Sequence, residues 1–306
     1  MYPGQMGYHN PVLLNECIEG LRIKPEGTYV DVTFGGGGHS KLILSHLKGG
    51  RLFAFDQDEN TRKNSLSHPG FKLIHANFRY IKNFLKLEGI VSIDGLIADL
   101  GVSSHQFDVP ERGFSTRLTG DLDMRMDVNS DLSAKDVIND YTELDLANIF
   151  YRYGELRNSR LIANKIVAKR KESPINTTDD LVSTISSLSA ERHRNQFLAR
   201  VFQSIRIEVN DEIEALKQML LSALELLNPS GRLVVLSYHS LEDRLIKNLM
   251  KKGNLEGKVE QDFFGNVIKR LKEINTKVVV ASLDEIKKNP RARSAKLRVS
   301  EKVHND

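Results

Sequence analysis

Four consecutive glycines, Gly35 to Gly38, lie between an apolar run that ends in Asp31-Val32 and a helix-like stretch that begins at Lys41. Glycine runs cost conformational entropy, and they persist where the backbone needs a positive φ or where a ligand must come close. A strand, a glycine turn and a helix N-terminus together form a pocket whose free N–H groups face an anionic group. The segment predicts a nucleotide-type binding site. A glycine turn that only packs a helix on a strand is the simpler alternative.

The spacing around the loop narrows the choice of ligand. A dinucleotide fingerprint G-x-G-x-x-G would need a third glycine where Ser40 stands, which weakens a nicotinamide or flavin interpretation. Asp56 directly follows the apolar run Arg51–Phe55, about 20 residues beyond the loop, where a carboxylate accepts hydrogen bonds from both ribose hydroxyls. Asp58 is the rival for this role. This order of residues also suits S-adenosylmethionine.

Composition limits the class of protein. A chain of 306 residues, 40% of them hydrophobic, is long enough for two domains or for one large domain with an insertion. No apolar run approaches about 18 residues, and the first residues lack the pattern of a signal peptide, so we expect a cytoplasmic protein with no membrane partner. The single cysteine, Cys17, permits no internal disulfide and no cysteine-based zinc site, and helical spacing predicts that it packs in a core.

The net charge of +4 is unevenly distributed. Between Arg157 and Arg206 there are ten Lys/Arg against four Asp/Glu, and between Lys287 and Lys302 there are seven against one. Such stretches favour a polyanionic partner, although a solvated helix face explains many charge runs equally well.

Short apolar runs alternate with helical stretches, which is typical of βαβ units and a parallel sheet. The fourth run ends in Asp99, which places this carboxylate at the edge where open α/β sheets bind ligands. The last run and the segment Ala295–Val299 predict an antiparallel edge. The predicted strands are Tyr29–Val32, Leu52–Phe55, Phe71–Ile74, Leu96–Ala98, Leu233–Leu236 and Val278–Ala281.

The strand pattern stops for more than a hundred residues after Asp99. A structureless loop of that length is improbable, so we interpret residues 109–210 as an inserted helical subdomain and residues 1–108 with 211–306 as one discontinuous domain. Asn210 is predicted to cap the helix that follows the insertion. Ser240 and Asp243 are predicted to form a capping box after the fifth strand.

Several motifs occur in order along nearly the whole chain. They are Tyr8–Glu16, the glycine loop, Asp99–Asp108, Arg112–Ser115, Leu122–Asp127, Tyr153–Glu155, Phe202-Gln203, Arg206-Ile207, Val209-Asn210, Ser240–Arg244 and Asn289–Arg298. With this series the chain closely resembles the RsmH (MraW) family of bacterial ribosomal RNA small-subunit methyltransferases, which methylate N4 of a decoding-centre cytosine in 16S rRNA.

The resemblance implies a class I methyltransferase fold: α/β and Rossmann-like, with a mostly parallel sheet, an antiparallel terminal strand and an inserted all-helical subdomain. It also implies S-adenosylmethionine as cofactor and 16S rRNA in the small ribosomal subunit as partner. The implied cofactor residues are Gly37, Gly38 and His39 at the loop, Asp56 at the ribose, Phe78 beside the adenine, and Asp99 and Gln106 near the methionyl end.

Two of these residues have plain alternatives. Phe78 follows the third predicted strand, where it can stack on a purine or simply pack in the core. His39 could be a metal ligand or a base, but no histidine or cysteine partner lies at ligand spacing, so we expect backbone and helix-start contacts from it and no metal site.

Methylation of an amino group asks for placement more than for strong acid–base chemistry. The protein must hold the amino nitrogen in line with the methyl group and accept an amino hydrogen bond. Asp99 is the candidate catalytic residue for this task, and fixing the cofactor is its alternative role. Four basic residues of the C-terminal segment are candidates for phosphate contacts with RNA: Arg291, Arg293, Lys296 and Arg298.

Other functions fit the sequence less well. An NAD-dependent oxidoreductase would need the missing third glycine. A small-molecule methyltransferase would not need the basic insertion and tail. A non-catalytic ribosome-binding factor would leave the glycine loop and Asp56 without a task.

Overall fold

A computed structural model describes residues 11–265 and 267–304, without the side chains of residues 104 and 105. The first three residues of the motif Tyr8–Glu16 therefore lie outside the described residues. The chain divides into two compact units. The sheet unit holds the described chain up to Gly101 and from Ile213 onward, and the helical unit is Val102–Glu212.

A seven-stranded sheet forms the centre of the sheet unit, in the order β3-β2-β1-β4-β5-β7-β6. Neighbouring strands among β1 to β5 are parallel, and β7 is antiparallel to both β5 and β6. This arrangement confirms the predicted class I methyltransferase fold. The strands are β1 Thr28–Asp31, β2 Arg51–Asp56, β3 Phe71–His75, β4 Ile93–Asp99, β5 Leu227–Ser237, β6 Leu271–Glu273 and β7 Lys296–Lys302.

The helices of the described chain lie before, within and after the long interruption between β4 and β5. Those before it are α1 Leu14–Leu21, α2 Gly38–His46 and α3 Ile81–Leu87. Those within it are α4 Ser104–Asp108, α5 Ala134–Asp140, α6 Glu143–Arg152, α7 Ser159–Glu172, α8 Thr178–Ile185, α9 Arg194–Asn210 and α10 Glu212–Leu226. The last two are α11 Ser240–Lys252 and α12 Leu283–Lys288. No helix among the described residues has the length and apolar character that a bilayer span requires.

Both faces of the sheet are buried, which explains why its strands are nearly continuous apolar runs. Successive residues of β4 alternate between two cores. Leu96 and Ala98 belong to the cluster that contains the apolar stripe of α10, whereas Ile97 belongs to the cluster that contains buried residues of α1 and α2. Cys17 of α1 is fully buried in the second cluster, so it packs in a core as predicted.

The strand order fixes where a ligand can bind. From β1 the chain moves outward to β2 and β3, and it then returns to place β4 on the other side of β1. The helices that follow such strands diverge at this reversal, which opens a crevice at the carboxyl ends of β1 and β4. The last residues of these two strands are Asp31 and Asp99.

The strand predicted at Val278–Ala281 is wrong. Only one bridge, between Val279 and Leu297, forms there, and the edge strand is the earlier segment β6. The side chain of Asn275 explains the break, because its Oδ1 accepts the Val299 N–H at 2.7 Å and its Nδ2 donates to the Leu297 carbonyl at 3.0 Å. The first bond occupies the Val299 N–H, which a longer edge strand would use, whereas the Leu297 carbonyl still accepts the Val279 N–H at 3.2 Å.

Both capping predictions near β5 are also wrong. Asn210 is the last residue of α9, where its side chain accepts the Met126 N–H at 2.7 Å and donates to the Met124 carbonyl at 2.8 Å. The capping box of α11 is formed by His239 and Glu242 rather than by Ser240 and Asp243.

The helical unit has a core of its own. Each of the helices α5 to α9 contributes buried apolar residues to one cluster, among them Ile138, Phe150, Ile166, Ile185 and Val201. Reciprocal capping boxes begin α5 and α8. Because each such box satisfies two otherwise unpaired N–H groups, these short helices have defined starts.

Candidate active site at the carboxyl edge of the sheet

Asp31 ends β1 and is almost completely buried. Its Oδ1 accepts the Thr33 N–H at 3.1 Å, and its Oδ2 accepts the Ser40 hydroxyl at 2.7 Å. Burial raises the pKa of Asp31, and nearby His39 and the hydroxyl of Ser40 partly offset this rise. The start of α2 is thus tied by its Ser40 side chain to the end of the first strand.

The glycine loop needs glycine for two different reasons. Gly35 and Gly37 have positive φ values of 52° and 75°. A Cβ on Gly38 would lie 2.1 Å from Cγ of Pro11, so packing alone excludes a larger residue there. Among the described residues, a Cβ on Gly35 would meet a single atom within 4 Å, the Thr33 carbonyl oxygen at 3.9 Å. The described part of the chain therefore leaves space beside Gly35, which was not among the predicted cofactor residues.

Asp56 ends β2 beside this loop. Its Oδ2 accepts the Gly35 N–H at 2.8 Å, and its Oδ1 accepts the Asp58 N–H at 2.9 Å. Burial is the main cause that raises the pKa of Asp56 to about 6. The rival carboxylate, Asp58, caps the short helix Glu59–Asn64 by accepting the Asn60 N–H at 3.0 Å.

Asp99 ends β4 and is held from two sides. Its backbone N–H donates to Thr33 Oγ1 at 2.7 Å, and its Oδ1 accepts the hydroxyl of Tyr238 at 2.6 Å. Burial raises the pKa of Asp99, while His39 and the Tyr238 hydroxyl act in the opposite direction. The carboxylate nevertheless retains 23% of its side-chain exposure.

His39 lies in the first turn of α2, between the carboxylates of β1 and β4. Its Nδ1 is 4.0 Å from Oδ2 of Asp99, beyond hydrogen-bond distance. Its Nε2 is buried and has no hydrogen-bond partner in the part of the chain that the structure describes. The imidazole is therefore poised near the crevice with unused hydrogen-bonding capacity.

The remaining predicted cofactor residues are placed differently. Phe78 begins the short helix Phe78–Tyr80 after β3 and packs, partly buried, against the main core of the sheet unit. Gln106 belongs to the helical unit, where its Oε1 accepts the Ser103 N–H at 3.0 Å. Asp31, Asp56, Asp99 and His39 share the carboxyl edge of one sheet.

The predicted phosphate-binding residues lie in the short helix Pro290–Ser294 and in the first half of β7. Because β7 is antiparallel, its first residue, Lys296, lies opposite Ser237 at the carboxyl end of β5. Lys296 Nζ lies 3.2 Å from Oδ2 of Asp243, and Arg298 Nε lies 2.7 Å from Oδ1 of the same carboxylate. Arg293 is exposed. Lys296 and Arg298 are thus already paired within the protein.

Sequence reasoning missed two residues of this edge, Thr33 and Tyr238. Tyr238 directly follows β5, just as Val32 follows β1 and Leu100 follows β4. Attention to the residue that follows every central strand, rather than to acidic residues alone, would have found it.

The residues of this edge fit S-adenosylmethionine. Burial raises the pKa of three carboxylates here, which means that their charged forms lack solvation. A positively charged ligand stabilises the charged carboxylates by Coulomb attraction, and S-adenosylmethionine carries a sulfonium and an ammonium group. The unpaired Nε2 of His39 and the space beside Gly35 offer further room for contact.

Fold and edge together define a methyltransferase of class I that uses S-adenosylmethionine. The MraW methylase family matches residues 6–303, and the chain belongs to this family.

The chain is similar over nearly its whole length to proteins named "Ribosomal RNA small subunit methyltransferase H". The one from Phocaeicola vulgatus is 55% identical over 296 residues, which cover 96% of this chain and 97% of that protein. The one from Flavobacterium johnsoniae is 55% identical over 299 residues, which cover 97% and 99%. Among solved structures, an rRNA methylase from Streptococcus thermophilus matches with a TM-score of 0.40 and 12% identity, over 95% of this chain and 94% of that chain.

The raised pKa of Asp56 makes a pH-dependent prediction. Below its pKa of about 6 the carboxyl is protonated and loses acceptor capacity for ribose hydroxyls. If only the ionised form binds, calorimetric affinity for S-adenosylhomocysteine falls roughly tenfold between pH 7.5 and pH 5. Stability of the free protein changes in the opposite sense: since ionisation of this buried group opposes folding, acidification through about pH 6 to 4 removes a destabilising charge.

Asp56→Asn is the matched control, because it keeps the shape and removes the titration. We expect weak binding from this variant and a flatter pH dependence. Wild-type affinity in Asp56→Asn, or equal affinity of the wild type at both pH values, would contradict the ribose role.

Proposed function

We propose that this methyltransferase transfers a methyl group to N4 of a decoding-centre cytosine in the 16S rRNA of the small ribosomal subunit. The identity of 55% to the Phocaeicola vulgatus protein, over 97% of its length, carries the choice of ribosomal RNA. The cytosine N4 target comes from the resemblance to the RsmH family, and the carboxylate edge is chemically suited to an amino group. The proposed place of action is the cytoplasm, where ribosomal subunits are found.

The cofactor is held by the loop and the strand ends. We assign Asp56 to the ribose hydroxyls, Phe78 to the adenine, and Gly37, Gly38 and His39 to contacts made at the start of α2. Asp99 and Gln106 belong near the methionyl end. The carboxylates of this edge support the assignment, because burial disfavours their charged forms and a positively charged ligand would stabilise them.

S-adenosylmethionine supplies an electrophilic methyl group on a sulfonium sulfur. A cytosine amino group is a weak nucleophile, since its lone pair is delocalised into the ring, but its N–H protons become acidic as the new bond forms. A carboxylate at the strand edge can orient the amino group by accepting an N–H hydrogen bond and can then take the proton. We assign this task to Asp99, whose Oδ2 has no hydrogen-bond partner among the described residues.

RNA recognition is assigned to two basic regions. One is the insertion, residues 109–210, whose stretch Arg157–Arg206 carries ten Lys/Arg against four Asp/Glu. The other is the segment around Pro290–Ser294, which β7 brings to the carboxyl edge of the sheet. Basic residues of the second region at the same sheet edge as buried carboxylates suit a substrate that presents a neutral base within a phosphate backbone.

Mapping of the modified nucleotide tests the substrate directly. Mass mapping of small-subunit rRNA from cells with and without the gene should show one cytosine that loses a methyl group on N4 in the deletion strain. The control is the deletion strain with a gene copy that encodes Asp99→Asn, because it contains the protein without its proposed chemistry. A missing methyl group on a ring carbon, on a ribose or on another RNA would contradict the proposal.

Removal of the Asp99 charge tests the amino-group role. Asp99→Asn keeps the shape of the side chain, and we expect the single-turnover methylation rate to fall about 100-fold, as for the loss of a preorganised polar partner. Calorimetric affinity for S-adenosylhomocysteine, which lacks the sulfonium charge, should fall by much less than the rate. If weaker cofactor binding accounts for the whole defect, Asp99 belongs only to the donor site.

The salt dependence of RNA affinity tests the four predicted phosphate contacts of the C-terminal segment. Each lost phosphate contact should reduce the log–log salt slope by roughly 0.7 to 0.9. Arg293→Ala, at an exposed position, should therefore lower the slope by more than Arg298→Ala, because Asp243 already pairs with Arg298. An unchanged slope and affinity in the variant that lacks all four would show that these residues do not contact RNA.

A further inference from the structure

The hydroxyl of Tyr238 donates a hydrogen bond to one oxygen of Asp99, Oδ1, at 2.6 Å. The two residues are 139 positions apart in the chain, and they meet because β4 and β5 are neighbouring parallel strands. Burial and the neighbouring charge of Asp99 both raise the pKa of Tyr238, so the phenol keeps its proton and acts as a donor. This hydrogen bond holds one of the two carboxylate oxygens, Oδ1, in place.

Three contacts prevent Tyr238 itself from moving. Its backbone N–H donates to Oε2 of Glu242 at 2.8 Å, which ties the residue to the first turn of α11. Its ring packs against the second core of the sheet unit. Gly101, with a φ of 99°, lies against the same ring, and a Cβ at that position would be 3.4 Å from Cδ2 of Tyr238.

The rest of Asp99 is equally constrained. Thr33 Oγ1 accepts its backbone N–H at 2.7 Å, so the end of β4 cannot shift along the sheet. With Oδ1 bound by Tyr238, the torsion of the carboxylate is fixed and Oδ2 is left without a hydrogen bond among the described residues. Nδ1 of His39 lies 4.0 Å from Oδ2.

We propose that Tyr238 is a positioning residue, whose hydroxyl holds Oδ1 of Asp99 so that Oδ2 faces the amino group of the target base. This inference rests on the proposed function, because it requires Asp99 to receive the amino hydrogen bond. During transfer the nitrogen gains the methyl carbon, the sulfur keeps the electron pair of its broken bond, and one amino proton passes to Oδ2. The proton of Tyr238 stays on its oxygen throughout.

The test begins with Tyr238→Phe, which removes one oxygen atom and keeps the ring. Loss of a hydrogen bond to a carboxylate that acts in the rate-determining step should lower the single-turnover rate constant about tenfold. KM for the RNA substrate and the calorimetric Kd for S-adenosylhomocysteine should stay within about twofold, since the hydroxyl touches neither ligand in this assignment.

Tyr29→Phe is the matched control. Tyr29 is also buried, and its hydroxyl accepts the Lys24 N–H at 2.6 Å, but it lies in the first half of β1. We expect this variant to lower the melting temperature without changing kcat. A rate loss in Tyr29→Phe equal to that in Tyr238→Phe would show that general destabilisation is the cause and would overturn the inference.

The pH profile gives a readout that a packing role would not change. The Tyr238 hydrogen bond lowers the pKa of Asp99, so its loss should move the acid limb of the single-turnover rate to higher pH. The other titratable groups that face Asp99 are His39 of α2, Asp31 of β1, Glu242 of α11 and Cys17 of α1, and Tyr238→Phe leaves all of them in place.

A double-mutant cycle separates this inference from the proposed function. If Tyr238 acts through Asp99, the variant with both Tyr238→Phe and Asp99→Asn is no slower than Asp99→Asn alone. A slow Asp99→Asn combined with a fully active Tyr238→Phe would overturn the positioning role only. A fully active Asp99→Asn would overturn the role of Asp99 itself, and additive losses would show that Tyr238 acts elsewhere.

Discussion

The burial of carboxylates at the carboxyl edge of the sheet is the constraint on which the site depends. Asp31, Asp56 and Asp99 end three adjacent strands, and each loses solvation there. A buried carboxylate without donors costs several kcal/mol, so the chain must supply N–H and O–H groups. The glycine loop does this. With a φ of 52°, Gly35 turns its N–H onto Asp56, which a residue with a Cβ would do only with strain.

The same constraint explains why much of the fold could be predicted from the sequence. A parallel sheet covered on both faces requires apolar side chains at successive positions, so its central strands appear as short apolar runs. Asp56 and Asp99 stand out because they interrupt such runs at their ends. Tyr238 was not recognised, since a tyrosine after an apolar strand fits a core as well as a site. Its partner is set by the pairing of β4 with β5, which periodicity does not reveal.

The failures near the C-terminal half have local physical causes. Ser240 with Asp243 and His239 with Glu242 have the same spacing, shifted by one residue, and the burial of Glu242 selects the second pair. Asp243 is then available to pair with Arg298 of β7. At Val278–Ala281 composition favours a strand, but the Asn275 side chain binds the Val299 N–H of β7, and only Val279 of the segment pairs with β7. Both outcomes depend on hydrogen bonds from side chains to backbone groups.

Buried carboxylates and basic side chains lie at the same edge of the sheet because β7 runs antiparallel to β5. Had β7 been parallel to β5, its basic beginning would lie at the far edge of the sheet. Because it is antiparallel, Lys296 lies opposite Ser237 and the preceding basic segment reaches the same edge as the carboxylates. Buried anions that lack solvation favour a cationic donor, while cations of the segment favour a polyanionic acceptor. Under the proposed function, one sheet edge attracts two substrates of opposite charge, and Asp99, whose Oδ1 is bound by Tyr238, is the residue we propose to orient the neutral base between them.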